Sequence, residues 1–338
     1  MLARGAARAL GRSSKRTVQH HCSMVSMITF ETYDVFTTTP FGGNPLAVVY
    51  GADGLATSSL QAIAREFNYS ETTFVLPPAD LANTARVRIF TPTTELPFAG
   101  HPNVGTAFAL AQKGNIFGRP VGSELRFEEE SGLVPVKLLP SGAAQLEAPM
   151  PFSVSAIDEG GVSVPKAAAC LGLEPADLQS EGRIASLGGN PYVLVEVREE
   201  ALGRCVPNTA EIASTSPGKV LVWVDHSAGK AVGDDGERAD LSCRMFTGRG
   251  TEDAATGAAN CCLMALLVTL GRHLPPGGDP SLTGSFSRRI VQGVDMGRPS
   301  LLLGECEYSG CSPLAVHVAG QCVPIMQGQI DRSLFETA

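Results

Sequence analysis

The strongest constraint on the fold of this chain is an internal repeat. The tetrapeptide RIFT at 88–91 precedes Gly100 by nine residues, and RMFT at 244–247 precedes Gly257 by ten. Each glycine begins an apolar run with the spacing of a buried helix. Two copies of a strand motif followed by an apolar helix predict two related halves.

A second pair of matching segments supports the duplication. GNPL at 43–46 and GNPY at 189–192 are each followed by a valine-rich run. Both signals occur in the same order, so we predict an N-terminal lobe over 27–150 and a C-terminal lobe over 151–338. Whether the strands after Leu301 complete the second lobe or cross back to the first stays open.

Short runs of β-branched and aromatic residues, separated by Gly and Pro turns, dominate both halves. The predicted strands are 29–36, 46–50, 73–76, 86–91, 125–128, 133–139, 192–197, 220–225 and 243–247, with others near Ile290, Leu301 and Val316. The predicted helices begin at Thr57 or Ser58 and end before Ser70, run over 102–113, and run over 257–270. Many strands with one long apolar helix per half indicate an α+β fold.

The charge distribution bears on partners and location. Residues 1–26 hold five basic residues and no acidic one, whereas the rest of the chain has 21 Lys and Arg against 34 Asp and Glu. An acidic body argues against nucleic acid as a partner and favours a small molecule. The basic, Ser-containing first 26 residues are either a mitochondrial transit segment or a disordered tail. The expected location is therefore cytoplasmic or mitochondrial.

The cysteines and the apolar runs exclude several other classes. The nine cysteines include no C-x-x-C pair, and their odd number argues against a disulfide framework or a zinc knuckle. Cys261 and Cys262 lie inside an apolar helix and are expected to be core residues. The apolar stretch from Cys261 to Leu270 is shorter than the ~20 residues that span a bilayer, so no membrane association is expected. The histidines form no metal-ligand pair, and we expect no metal.

Candidate chemistry gathers at the two predicted helix starts. In each half a strand ends, a loop carries carboxylates, and a glycine begins the helix: Glu95 precedes Gly100, and Glu252 with Asp253 precedes Gly257. Free N–H groups at a helix start stabilise a substrate carboxylate or a developing enolate. Two related halves can direct both helix starts at one cleft, which suits proton transfer next to a carboxylate.

Three residues are candidates for moving the proton, and each has a plain alternative. Glu71 lies between an amphipathic helix and an apolar strand, where partial burial would raise its pKa, but a glutamate at a helix end is often a solvated surface charge. His101 can exchange a proton near neutral pH or serve as a structural hydrogen-bond partner. Asp253 can act on substrate or cap the following helix.

Five segments carry a resemblance to a known family. They are YDVFTTTPFGGNPLAVV (33–49), FNYSETTFVLPP (67–78), RVRIFTPTTELPFAGHPNVGTAFAL (86–110), SCRMFTGRGTEDAATGAA (242–259) and QGVDMGRPS (292–300). In order and position they resemble the PhzF family of phenazine-biosynthesis isomerases, which shares the diaminopimelate epimerase fold. The resemblance implies two pseudo-symmetric lobes, each a β-rich layer wrapped around a central helix, and a homodimer.

The resemblance also implies an activity. Isomerases of this family move a proton on trans-2,3-dihydro-3-hydroxyanthranilate without a metal or an organic cofactor. Glu71 matches the family's catalytic glutamate and Ser70 the substrate contact beside it. Gly100 and His101 match the Gly-His-Pro motif, and Asp253 matches the second acidic residue. The substrate is accordingly expected to be a small carboxylic acid.

One position departs from the family pattern. The isomerase motif places a hydroxyl side chain after Gly257, where this chain has Ala258, so only a backbone N–H remains for the substrate. Loss of one hydrogen bond costs roughly 1 kcal/mol and points to a different substrate. Two alternatives stay open: a PhzF-like protein that binds a ligand without catalysis, and an amino-acid epimerase in which His101 or Asp253 is the second base. The epimerases' paired thiols are absent, because His101 and Ala258 hold those places.

Overall fold

The computed structural model of the protein describes residues 27–155, 161–231, 238–274, 278–279 and 281–335, with 227–231 described by their backbone only. The predicted transit segment or tail over 1–26 lies outside the described residues. The first half contains ten strands and two helices: β1 (Ile28–Val35), β2 (Asn44–Tyr50), α1 (Thr57–Phe67), β3 (Glu71–Leu76), β4 (Ala85–Phe90), β5 (Glu95–Leu96), α2 (Gly100–Lys113), β6 (Asn115–Ile116), β7 (Arg119–Pro120), β8 (Glu124–Glu129), β9 (Gly132–Leu138) and β10 (Ala144–Glu147).

The second half repeats this series with additions. Its elements are β11 (Phe152–Val154), α3 (Val164–Leu171), β12 (Arg183–Leu187), β13 (Asn190–Glu196), α4 (Glu199–Leu202), α5 (Thr209–Ala213), β14 (Lys219–Ala231), β15 (Arg238–Thr247), β16 (Glu252–Asp253), α6 (Gly257–Thr269), β17 (Thr283–Gln292), β18 (Ser300–Ser309), β19 (Ser312–Gly320) and β20 (Cys322–Ile330). The predicted α+β class is confirmed.

The strand pairing of the two lobes is the same. In the first lobe β1 and β2 are antiparallel, β2 and β3 parallel, β3 and β4 antiparallel, and β4 and β8 parallel. In the second lobe β12 and β13, β13 and β14, β14 and β15, and β15 and β17 follow the same sequence of directions. Each series continues through a hairpin, β8–β9 or β17–β18. The duplication predicted from the sequence therefore governs the architecture.

Matching side-chain contacts accompany the matching strands. Arg88 forms a bidentate ion pair with Glu95, and Arg244 forms an equivalent bidentate pair with Glu252. The N–O distances in both pairs are 2.7–2.9 Å. Planar guanidinium and carboxylate groups favour this geometry. The pair ties the strand of each RIFT or RMFT motif to the short strand that leads into the central helix.

The last strands answer the topological question that the sequence left open. β18 and β19 complete the second lobe, and β19 pairs with β10 of the first, so one sheet runs through both lobes. β20 then crosses back and pairs with β1. Its counterpart β11 follows β10 of the first lobe and pairs with β12 of the second. The final strand of each lobe therefore pairs with a strand of the other lobe.

The central helices α2 and α6 are surrounded by these strands. Nearly every residue of α6 is buried, and ten residues of α2 are buried. A helix without a polar face is stable in a globular protein only when protein covers it on all sides. Over the described residues, no helix is both long enough and apolar enough to cross a bilayer.

Some local expectations need correction. Helix α1 begins at Thr57 after Ala56, whose side chain cannot cap it, so the predicted Thr or Ser cap is wrong. Helices α3, α4 and α5 were not predicted, because each is eight residues or shorter and spans too few turns to show a helical repeat in the sequence. They pack in a separate apolar cluster of the second lobe that includes Leu171 and Ile212.

Candidate active site

The starts of the two central helices lie against each other at the lobe interface. A Cβ placed on Gly100 would be 3.2 Å from the backbone nitrogen of Ala258, and one on Gly257 would be 3.7 Å from the Cα of Gly100. Glycine at these positions lets the two backbones approach closely. The arrangement brings two sets of free helical N–H groups to one place.

Beside these helix starts the largely buried side chain of Glu71 pairs with the buried side chain of His101. Glu71 is the first residue of β3, and its carboxylate Oε2 lies 3.1 Å from Nδ1 of His101 in the first turn of α2. Their side chains are 18% and 5% exposed, so the surface-charge reading of Glu71 does not apply. Burial raises the pKa of Glu71, and the nearby charge of Asp253 raises that pKa further.

The protonation state of His101 follows from its burial. Burial lowers the pKa of His101 to about 3, so the imidazole is neutral at neutral pH. Its Nε2 is buried and has no hydrogen-bond partner in the described part of the chain. A neutral imidazole can form a hydrogen bond with the carboxyl group of Glu71, and this bond fixes the orientation of that group.

Asp253 reaches the same site from the second lobe. Its Oδ2 accepts a hydrogen bond from Thr256 Oγ1 at 2.6 Å, and its Oδ1 accepts one from Asn44 Nδ2 at 2.7 Å. Burial raises the pKa of Asp253, while these bonds oppose the rise because they favour the charged form. Asp253 therefore supports the start of α6 and also faces the first lobe.

Asn44 connects the site residues of the two lobes. Its amide nitrogen donates to Asp253 and to the backbone oxygen of Ala255 at 2.9 Å, and it lies 3.4 Å from His101 Nδ1. Its amide oxygen accepts the hydroxyl hydrogen of Ser70 at 2.8 Å. The Asn44 side chain is buried, so these bonds are made away from water.

The loop before Asn44 is anchored by the second lobe. Arg298 donates to the backbone oxygens of Gly42 and Gly43 and to the buried carboxylate of Asp34. Gly43 has a φ of +62°, and a Cβ there would lie 2.4 Å from a backbone oxygen. Only glycine fits this turn, which explains the glycine before Asn44.

Behind the helix starts, the two lobes differ at one matched position. The strand registers relate Glu129 of β8 to Gln292 of β17. Gln292 accepts from Asn260 Nδ2 at 2.8 Å and donates to the backbone oxygen of Asp253. Glu129 lies beside Asn103, yet both of its buried carboxylate oxygens lack a hydrogen bond of normal geometry. Burial raises the pKa of Glu129 to about 8, a rise that Asn103 opposes.

Glu129 is therefore expected to make stability depend on pH. Because its pKa rises on folding from 4.5 to about 8, it stabilises the fold fully at low pH and loses that contribution as pH rises through 8. Glu129→Gln, which restores the amide found at the matched position, should give a smaller fall in melting temperature between pH 5 and 9. Thermal denaturation across this range measures the effect, with exposed Glu130→Gln as control. Equal slopes in all three proteins would contradict it.

A small cavity lies next to the helix starts. It measures about 10 Å³, and its wall includes Gly100, Ala258, Asn190, Cys261 and Phe98. This volume holds about one water molecule. This volume is too small for a ring-shaped acid.

The structure brings together most of the residues singled out from the sequence. Glu71, Ser70, His101 and Asp253 lie within one hydrogen-bonded group, and the helix starts adjoin it. Glu95 and Glu252 do not belong to this group, because each is held by its arginine.

Asn44 was missed as a site residue. The available signal was the repeated Gly-Asn-Pro, which identified the duplication without showing that one copy faces a carboxylate from the other lobe.

The fold and this site define a two-lobed α+β protein of the diaminopimelate epimerase type. The sequence profile of the phenazine biosynthesis-like proteins matches residues 33–328. The chain therefore belongs to the PhzC-PhzF family, as its motifs indicated.

Relatives and solved structures agree with this assignment. An uncharacterized isomerase of Mesorhizobium japonicum is 35% identical, over 88% of this chain and 97% of its own. The trans-2,3-dihydro-3-hydroxyanthranilate isomerase of Pseudomonas chlororaphis is 30% identical, again over 88% and 97%. The crystal structure of a PhzF-family protein from Bacillus anthracis has a TM-score of 0.75 at 24% identity, covering 90% of this chain and 99% of that one. The protein is an isomerase.

Proposed function

We propose that the protein moves a proton on a small cyclic carboxylic or amino acid, with Glu71 as the acid/base residue and without a cofactor. The observation that carries this proposal is the buried Glu71–His101 pair at the junction of two helix starts. The relatives named trans-2,3-dihydro-3-hydroxyanthranilate isomerase supply the first substrate to test.

The proposed chemistry needs a base in a water-poor site. The Glu71 carboxylate takes a proton from a carbon next to unsaturation or a carboxylate and returns it to another carbon of the same molecule. No oxidant or reductant is needed, because the product is an isomer. Burial raises the pKa of Glu71, which makes its carboxylate a stronger base than one in water.

The helix starts are proposed to stabilise the charge that forms on the substrate. Backbone N–H groups at Gly100 and at Gly257 and Ala258 face the junction of the lobes, and their dipoles favour an anion there. His101 and Asp253 orient the polar groups of the substrate. With a methyl group at Ala258, only the backbone of this residue can donate a hydrogen bond.

Proton exchange tests the proposal. The protein is incubated with trans-2,3-dihydro-3-hydroxyanthranilate in heavy water, and the product is followed by NMR. We expect isomerised product, with deuterium at the carbon receiving the proton in those turnovers in which Glu71 exchanges its proton with solvent before returning it. The control reaction contains heat-denatured protein. Absence of both isomerisation and deuterium incorporation, repeated over a panel of cyclic amino acids and hydroxylated aromatic acids, would instead favour a ligand-binding role without catalysis.

A further inference from the structure

The internal repeat assigns a counterpart to Glu71 in the second lobe. In β3 and β4 the antiparallel register pairs Thr72 with Phe90, so one residue further Glu71 lies opposite Thr91. In β14 and β15 the register pairs Lys219 with Thr247. Thr91 and Thr247 end the two matching tetrapeptides. Lys219 therefore occupies the position of Glu71.

The register with the other neighbouring strand leads to the same residue. Glu71 lies beside Leu46 in the parallel pair β2–β3. In the parallel pair β13–β14, Val193 lies beside Val220. One residue earlier in each strand, Tyr192 therefore lies beside Lys219. Leu46 and Tyr192 are the fourth residues of the two Gly-Asn-Pro segments. The cleft thus has a carboxylate from one lobe and an ammonium at the equivalent position of the other.

Lys219 contacts the wall of the cavity beside the helix starts. Its Nζ donates to Asn190 Oδ1 and lies 4.2 Å above the ring of Tyr192. Asn190 in turn donates from Nδ2 to the Tyr192 hydroxyl at 2.8 Å. Asn190 lines the same cavity as Gly100 and Ala258.

The ammonium of Lys219 lacks a negatively charged partner among the described residues. Lys113 and Lys166 both pair with glutamates, whereas Lys219 has a neutral amide, an aromatic ring and the nearby thiol of Cys262. Burial raises the pKa of the Cys262 thiol to about 12, so this neighbour is uncharged at neutral pH. Burial lowers the pKa of Lys219, because a desolvated charge is costly without a counter-charge. An anionic group bound beside Asn190 would supply that counter-charge.

We propose that Lys219 binds a second carboxylate of the substrate, so that the preferred substrate is a cyclic dicarboxylic acid. This rests on the proposed function, in which the first carboxylate faces the helix starts. The second carboxylate would lie beside Asn190, which Lys219 contacts and which lines the same cavity as Gly100 and Ala258. Such a substrate would have one more anionic group than dihydro-hydroxyanthranilate.

Rigid ring acids test the proposal by fixing the distance between carboxylates. Calorimetry on the full chain compares benzoate with benzene-1,2-, 1,3- and 1,4-dicarboxylate. A charge-assisted hydrogen bond contributes enough affinity that at least one dicarboxylate should bind about 10-fold more tightly than benzoate. In Lys219→Met, which keeps the apolar stem over Tyr192, that advantage should fall below about 3-fold while benzoate binds as before.

Lys219→Arg is the matched control, because it keeps the charge and should retain most of the preference for dicarboxylates. Should the methionine variant fail to fold, Lys219→Gln replaces it. Absence of any preference for a dicarboxylate in the wild-type protein, or a preference that survives removal of the charge, would overturn the proposal.

Failure of this subsite and failure of the proposed isomerisation are distinguishable. Glu71→Gln should slow proton exchange by about 10²–10⁴-fold and leave the dicarboxylate preference unchanged. A Lys219-dependent preference without exchange on any acid would reject the proposed function and keep the subsite. Exchange on a monocarboxylic acid without any such preference would reject the subsite alone.

Discussion

Glu71→Gln is expected to reduce the rate of proton exchange by about 10²–10⁴-fold, the usual contribution of a positioned acid or base. Glutamine keeps the size of the side chain and can still contact His101 Nδ1, 3.1 Å away in the native pair, but it cannot accept and return a proton. The rate of isomerisation measured under saturating substrate gives the loss directly. Glu66→Gln, an exposed change on α1, is the matched control and should keep full activity.

The stability of the Glu71→Gln variant shows whether its loss of activity comes from the missing acid/base group or from a disturbed fold. Because the pKa of Glu71 is raised in the fold, its ionisation destabilises the protein as pH rises through the folded pKa. The glutamine variant should therefore be at least as stable as the wild type at pH 8. An inactive variant that is also markedly less stable at that pH would argue for a structural role of the carboxylate.

The pH dependence of the wild-type enzyme follows from the same shift. A base must be ionised to accept a proton, so kcat/KM should rise with pH as Glu71 loses its proton. Burial, and then the charge of Asp253, raise the pKa of Glu71. The acidic limb of the profile is therefore expected well above the ordinary value of 4.5. A limb near 4.5 would mean that a solvated carboxylate is the base.

The sequence predicted the repeat, the two central helices and most of the strands, because these features are local or recur in order. The apolar spacing of α6 and the glycine at its start are visible in the chain itself. The exchange of β11 and β20 between lobes was not predictable, because pairing between distant strands depends on how the lobes dock. For the same reason, the repeated Gly-Asn-Pro motif identified the segment that contains Asn44. It did not identify the hydrogen-bond partner of Asn44, which is Asp253, 209 residues away.

The sequence predicted Glu71, Ser70, His101 and Asp253 as members of the candidate site, but not Asn44, which bonds to both lobes. From its position alone Glu71 was better explained as a solvated surface charge than as a base, and only the resemblance to PhzF proteins favoured the base. Burial of the Glu71–His101 pair comes from β3 and α2 packing around a common core, which no local pattern records. The pairing of Glu95 with Arg88 was likewise not predictable from the sequence, because a carboxylate in a loop before a helix can either contact substrate or form a structural ion pair.

Asn44→Ala is expected to lower both stability and activity, because one buried side chain serves both lobes. The change removes the bonds to Asp253 and Ala255 and leaves the Ser70 hydroxyl with only a long contact to the backbone oxygen of Pro45, 3.5 Å away. Buried polar groups left without partners cost about 1–3 kcal/mol each, so we expect a loss of unfolding free energy of about 2–4 kcal/mol. Urea denaturation measures it, and exposed Asn115→Ala should show almost no change.

The pH profile shows whether Asn44 is a positioning residue or only a structural one. The hydrogen bond from Asn44 lowers the pKa of Asp253, so the loss of this bond in Asn44→Ala should leave Asp253 more protonated. A protonated Asp253 no longer raises the pKa of Glu71 through its charge. The acidic limb of kcat/KM should then move to lower pH, and kcat at the plateau should fall about 10–100-fold because the carboxylates are less well oriented. A uniform loss of activity with an unmoved limb would restrict Asn44 to holding the lobes together.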